Sequence, residues 1–169
     1  WKGGHDSTAL ARREHERAVE ALGEQEAKDP GSTLERRATQ QEQAISRFIA
    51  KGEAQQALGK AIQEQWTHVE QLMTQTLEAV EESGWDEVRN KLRGIEWIES
   101  IDPALRRMMA YLPDEDNEPG TRIELHLDLT VHQNAQRYFD AGRKQKEKSV
   151  GAVAALEKTQ EEMSRVEKR

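Results

Sequence analysis

A chain of 169 residues with 34% charged residues, only 35% hydrophobic residues and a net charge of −7 is not the composition of a single packed ball, since soluble domains run nearer ~45–50% apolar and ~25% charged. The absence of cysteine excludes disulfides, zinc–thiolate centres and thiol nucleophiles and suits a reducing compartment. No apolar run approaches the ~18 residues of a membrane span and no signal peptide is visible, while the acidity argues against wholesale nucleic-acid wrapping and leaves local basic patches to be weighed.

Residues 1–32 form a charged segment, with a short helix expected from Thr8 to Gly23 on the spacing of Leu10, Arg13, Ala18 and Leu22. Asp29-Pro30-Gly31 then breaks the chain, and Ser32 with Glu35 fits a capping box. From there the apolar and small residues step by four and three: Leu34, Ala38, Gln41, Ile45, Phe48, Gly52, Gln55, Gly59, Ile62, Trp66, Val69, Met73, Thr76 and Val80. Such a stripe is a coiled-coil seam. It predicts a first arm over 33–84, a helix of roughly 50 residues and about 75 Å, closed by Gly84 in a left-handed position. Trp85 to Leu92 reads as a short helix, and Ile95, Trp97, Ile98 and Ile101 lead into an Asp102-Pro103 turn. Met108–Leu112 reads as a strand. After the acidic loop Asp114–Gly120, Ile123, Leu125, Leu127 and Leu129 alternate with polar residues. That period of two marks a half-buried strand and predicts a hairpin across the loop. These pieces make a middle domain over 85–130. A second arm over 131–169 repeats the seam through Val131, Ala135, Tyr138, Gly142, Gln145, Ser149, Ala152, Leu156, Thr159, Met163 and Val166.

Both seams carry weak layers, such as Gly52, Gln55 and Gly59 in the first and Gly142 and Ser149 in the second. A parallel dimer would stack each weak layer on itself. A folded-back hairpin closed near 81–131 sets large against small: Trp66 against Gln145 and Ser149, Gly59 against Ala152 and Leu156, Phe48 against Met163 and Val166. The fold class expected is therefore mainly α, a monomeric long antiparallel coiled-coil hairpin with a small α+β middle domain at its tip. The alternative is a self-standing coiled-coil oligomerisation or protein-interaction module.

Little points to chemistry. His126, Asp128 and His132 have metal-ligand types, but alternation places His126 and Asp128 on the ordinary polar face of a strand. Asp114, Asp116 and Glu118 resemble the start of a calcium loop, yet Pro119 stands where that loop needs glycine. No phosphate loop, nucleophile elbow or H-E-x-x-H motif occurs. No catalytic residue, metal or cofactor is expected. The basic cluster Arg137, Arg143, Lys144, Lys146 and Lys148 is the candidate nucleic-acid site, set against the plain reading of a solvated coiled-coil flank.

Asp128-Leu129-Thr130-Val131-His132-Gln133-Asn134-Ala135-Gln136-Arg137-Tyr138-Phe139 resembles the strand-to-helix signature D-x-S/T-x-x-x-N-A-x-x-Y-Y/F of the NFACT family of ribosome-associated quality-control factors, called NEMF in animals and RqcH in bacteria. Three more stretches agree in order: Leu34 to Glu42 with L-x-R-Q-x-x-A, Gly59 to Glu70 with G-E-L-I-x-x-N-Y-x-x-V, and Trp85 to Val88 with W-x-E-I. Gln65 and Trp66 depart from the family's asparagine and tyrosine. Gly151, Ala152 and Thr159 suit archaeal members. The resemblance covers about 34–169 and implies the coiled-coil arms and middle domain of a cytoplasmic, non-enzymatic factor. It further implies binding to large ribosomal subunits and their RNA where peptidyl-tRNA has stalled, and support of untemplated C-terminal tailing. Transfer RNA would be engaged through domains outside this segment, and a protein partner would meet the middle domain.

Overall fold

The computed structural model describes residues 30–92 and 95–168; the helix expected over Thr8–Gly23 lies outside them. In chain order the elements are α1 (Pro30–Glu64), α2 (Trp66–Ser83), α3 (Trp85–Lys91), β1 (Ile98–Asp102), β2 (Arg107–Pro113), β3 (Pro119–His126) and α4 (Val131–Glu167). The described residues are mainly helical and include a three-stranded antiparallel sheet, ordered β1-β2-β3. Its described residues fall into two compact units, one of 30–48 with 147–168, the other Ile49–Lys146.

The four–three stripes remain off the surface almost throughout. Every position from Leu34 to Val80 is buried or half-buried except Trp66, and every position from Val131 to Val166 is too. Several details differ from expectation. α1 begins at Pro30, so Ser32 lies inside the first turn rather than capping it. Proline is suited to a helix start because its φ is fixed and its missing N–H would be unpaired there anyway. The long first helix is not continuous: Gln65 (φ −106°, ψ 32°) separates α1 from α2. Its N–H still donates to Ala61 O at 2.9 Å and its carbonyl accepts from Val69 at 3.1 Å. The helix therefore bends without ending its hydrogen bonds, and Trp66 turns outward to 50% exposure. Gly84 (φ 80°, ψ 163°) joins α2 to α3 in a region open essentially to glycine alone, not in the left-handed helical basin.

The main core lies in the Ile49–Lys146 unit. Ile98, Ile101, Met108, Ala110, Leu112, Ile123 and Leu125 form the inner face of the sheet, packed with Ile62, Val69, Leu72, Met73, Val88, Val131, Ala135 and Tyr138. β2 and β3 pair across the acidic loop, with Met108 opposite Leu125 and Ala110 opposite Ile123. β1 was not expected as a strand. Its register slips between Ile98 and Ser100, so Ile98 and Ile101, three apart, both face inward. A bulge thus gives a strand a helix-like spacing.

In this unit α1 and α4 run antiparallel at very close range. A Cβ built on Gly52 would stand 3.0 Å from Gly142 O, and one on Gly59 would stand 3.0 Å from Ala135 O and 3.1 Å from the Phe139 ring. The pairing is therefore glycine on glycine. Gly59 meets Ala135 and Phe139, not Ala152 and Leu156, and exposed Trp66 does not fill a gap beside Ser149. The cause is the sheet. α2 packs on it, Thr76 Oγ1 lying 3.6 Å from Met108 Sδ, and touches α4 in its first turn, Met73 Sδ lying 3.9 Å from Asn134 Nδ2, while α4 starts alongside the end of α1. In the other unit Leu34, Ala38, Ser149 and Thr159 are buried. Arg37 reaches Glu162 at 3.8 Å, which puts the Met163 turn beside the start of α1 and not beside Phe48.

Candidate nucleic-acid interface

β3 is an edge strand, so the backbone groups on its far side need partners. The start of α4 supplies them. Buried Asn134 accepts the His126 N–H on Oδ1 at 2.8 Å. Its Nδ2 donates to His126 O at 3.0 Å and to Thr130 O at 2.9 Å. Four residues on, the Tyr138 hydroxyl accepts from Glu124 N–H at 2.8 Å and donates to Glu124 O at 3.2 Å. Residues four apart share one face of a helix, and residues two apart point the same way on a strand. The pair Asn134/Tyr138 therefore reads Glu124 and His126 as a further strand would. Thr130 caps α4: its Oγ1 accepts from Gln133 N–H at 3.0 Å, and Gln133 Oε1 accepts from Thr130 N–H at 2.9 Å. This is the reciprocal capping box.

Arg137 belongs to that closure. Its Nη2 donates to Glu124 O at 2.9 Å, and Nη1 lies 3.8 Å from Glu124 Oε1. The guanidinium stacks 4.6 Å from the Tyr138 ring centre. It is committed inward, unlike the other members of the basic cluster. Arg143 is exposed and pairs with Asp140 at 3.3 Å. Lys146 Nζ donates across to Gln56 Oε1 at 2.8 Å. Lys144 and Lys148 are exposed, Lys148 within the other unit. The helical repeat parts the cluster further: Arg137 and Lys144 stand seven apart on one face, while Arg143 and Lys146 follow Phe139 by four and seven on another. The four within the Ile49–Lys146 unit therefore do not share one face.

The other polar groups singled out in the sequence are paired or exposed. His126 Nε2 lies 3.0 Å from Glu124 Oε1, Asp128 and His132 are exposed, and among the described residues no three acidic or imidazole side chains converge on a metal position. Asp114 Oδ1 accepts the N–H groups of Asp116 and Glu118, both at 2.9 Å, which folds the acidic loop as a turn. On the outer sheet face Arg122 donates to Glu99 through Nε, and Tyr111 Oη donates to Glu99 at 3.3 Å. The Arg122 hydrogen bond holds the Glu99 carboxyl below the usual carboxylate range, and Glu99 in turn raises Arg122. No helix among the described residues is long and apolar enough to cross a membrane.

Sequence reasoning missed the edge closure that occupies Arg137. The signal was present: Asn134 and Tyr138, four apart, are the two polar-tipped residues on the buried side of α4's first turns. A search of curated proteins gives no match. The family model for NFACT N-terminal and middle domains matches residues 12–169. It begins well ahead of Leu34, inside the charged segment that the four motifs left unassigned. With a match over nearly the whole length, and with the D-x-T-x-x-x-N-A-x-x-Y residues placed as one strand-to-helix device, the chain belongs to the NFACT family.

Proposed function

We propose that this chain is the arm and middle part of a cytoplasmic ribosome-associated quality-control factor, in which α1 and α4 form the antiparallel coiled-coil arms and residues 85–130 the middle domain. It acts as spacer and contact arm and not as an enzyme. The factor binds large ribosomal subunits, through their RNA, where peptidyl-tRNA has stalled, and supports C-terminal tailing, with transfer RNA engaged by other domains and a protein partner at the middle domain. One observation carries the reading: the family match over residues 12–169. The seams that stay off the surface on both long helices support the arm assignment. Within the basic cluster, exposed Lys144 and Lys148 are the favoured phosphate contacts, because Arg137 already serves β3.

The test is sedimentation of the intact protein with purified large subunits that carry peptidyl-tRNA, beside subunits stripped of it. Preferential pelleting with the loaded subunits is expected. Equal absence from both pellets at low salt overturns the proposal.

A further inference from the structure

α2 turns Val69, Leu72, Met73 and Thr76 inward, yet its solvent side is not uniformly polar. Trp66 is 50% exposed and Leu77 38%. The two are three helical turns apart, so they stand on one line about 16 Å from each other. Glu70 and Glu81 follow them by four residues on the same stripe, both exposed. Single exposed apolar residues are ordinary on any surface; a tryptophan and a leucine aligned along one helix form a ridge. The charges beside this ridge have one sign. α2 holds four glutamates, Glu70, Glu78, Glu81 and Glu82, and no lysine or arginine. None of the four is in an ion pair with a described residue. Glu81 and Glu82 sit in the last turn, where the helix dipole disfavours negative charge, and Glu78 and Glu82, four apart, repel each other. Among the described residues nothing offsets that cost.

We propose that this ridge docks a basic amphipathic helix of a partner protein, with apolar residues against Trp66 and Leu77 and lysine or arginine against the glutamates. The surface differs from one for a partner at the middle domain, because α2 ends before residue 85, and nothing in it depends on the ribosomal reading. From Trp66 to Glu81 the ridge is about 22 Å long, the span of a four-turn helix. A helix laid along it presents apolar residues at spacings of three and four. Tryptophan is among the residues that most often dominate such a contact. Cations beside Glu81 and Glu82 would also relieve their conflict with the helix dipole. Charge argues against the other occupants. RNA would set phosphates against four carboxylates. A second copy docked α2 to α2 would set glutamates against glutamates. An extended strand would find no open backbone edge on a helix.

The experiment pans a displayed library of helical peptides, each of about 18 residues, on the intact protein. Enriched sequences should carry apolar residues at spacings of three and four with lysine or arginine beside them. The tightest peptide, fluorescently labelled, is then titrated by anisotropy. Trp66→Ala should weaken it roughly 30-fold or more, as loss of a central anchor does. Glu70→Gln with Glu81→Gln should weaken it and flatten its salt dependence, with helix content unchanged by circular dichroism. Glu157→Gln with Glu161→Gln, at exposed positions of α4, should do neither. Failure to enrich any peptide over a Trp66→Ala bait overturns the proposal, as does enrichment of acidic or uncharged sequences, or equal titration curves for wild type and Trp66→Ala. A short single-stranded RNA that displaces the peptide, or a dimer in sedimentation velocity that Trp66→Ala dissolves, would give the ridge to that occupant and overturn it as well. Subunit sedimentation reads the ribosomal proposal separately, so either proposal can fall while the other stands.

Discussion

Asn134 has no exposed surface and fills its amide with three backbone partners around the β3–α4 junction. Alanine there strands the His126 N–H, whereas His126 O keeps the Leu129 N–H and Thr130 O keeps the backbone N–H of residue 134, and a buried group left unmatched costs about 1–3 kcal/mol. We expect Asn134→Ala to lower unfolding stability by about 1–3 kcal/mol, read as a shift in urea midpoint with unchanged slope. Trp66 is the contrast. As a seam residue it would cost about 3–5 kcal/mol on truncation, but at 50% exposure Trp66→Ala should cost less than about 1 kcal/mol in the same assay. Glu99 gives a pH test. Its folded carboxyl lies below its ordinary value because of Arg122, so the pair supports the fold above the unfolded carboxylate value and loses that support as pH falls through the depressed folded value. A carbon-detected NMR titration should place Glu99 below the ordinary range, and Arg122→Gln should return it there.

At the scale of elements, the two long helices, the β2–β3 hairpin and the short α3 were legible because their periods are plain. Three things were not. The bulge in β1 disguised a strand as a helical spacing. The bend at Gln65 has no proline or glycine to announce it. The helix register depends on where the sheet sits, which no seam residue encodes. Of the candidate site, the cluster's presence on α4 was legible, but the inward duty of Arg137 was hidden because it depends on a backbone edge and not on a side-chain motif. The glycines test the register directly. A Cβ on Gly142 would stand 2.6 Å from Gln56 Cγ and 2.8 Å from Gly52 O, whereas Gly151 has nothing within 4 Å. Gly142→Ala should destabilise by about 1–3 kcal/mol through overpacking, despite alanine's better helix propensity. Gly151→Ala should stabilise by about 0.5–1 kcal/mol. Thermal melts that move in opposite directions support the close crossing; two stabilising alanines would refute it.

For the molecule as a whole, the proposed contact of an acidic chain with RNA would run through a few cations, and salt dependence would count them. Each phosphate contact contributes roughly 0.7–0.9 to the slope of log K against log salt. Lys144→Gln with Lys148→Gln should therefore flatten the slope for subunit binding by about 1.4–1.8, with helix content held because glutamine is a good helix former. An unchanged slope would reduce both lysines to solvated flank. The closure of β3 bears finally on how the chain is made. Asn134 lies 8 residues beyond His126, and Tyr138 lies 14 beyond Glu124. At a synthesis rate of roughly 5–20 residues per second, the far edge of β3 stays open for about one to three seconds. During that interval it is a template for strands of neighbouring nascent chains. Slowed emergence of 127–138 from the ribosome would lengthen the hazard, so the yield of this fold depends on the pace of synthesis as well as on the energy of the finished contacts.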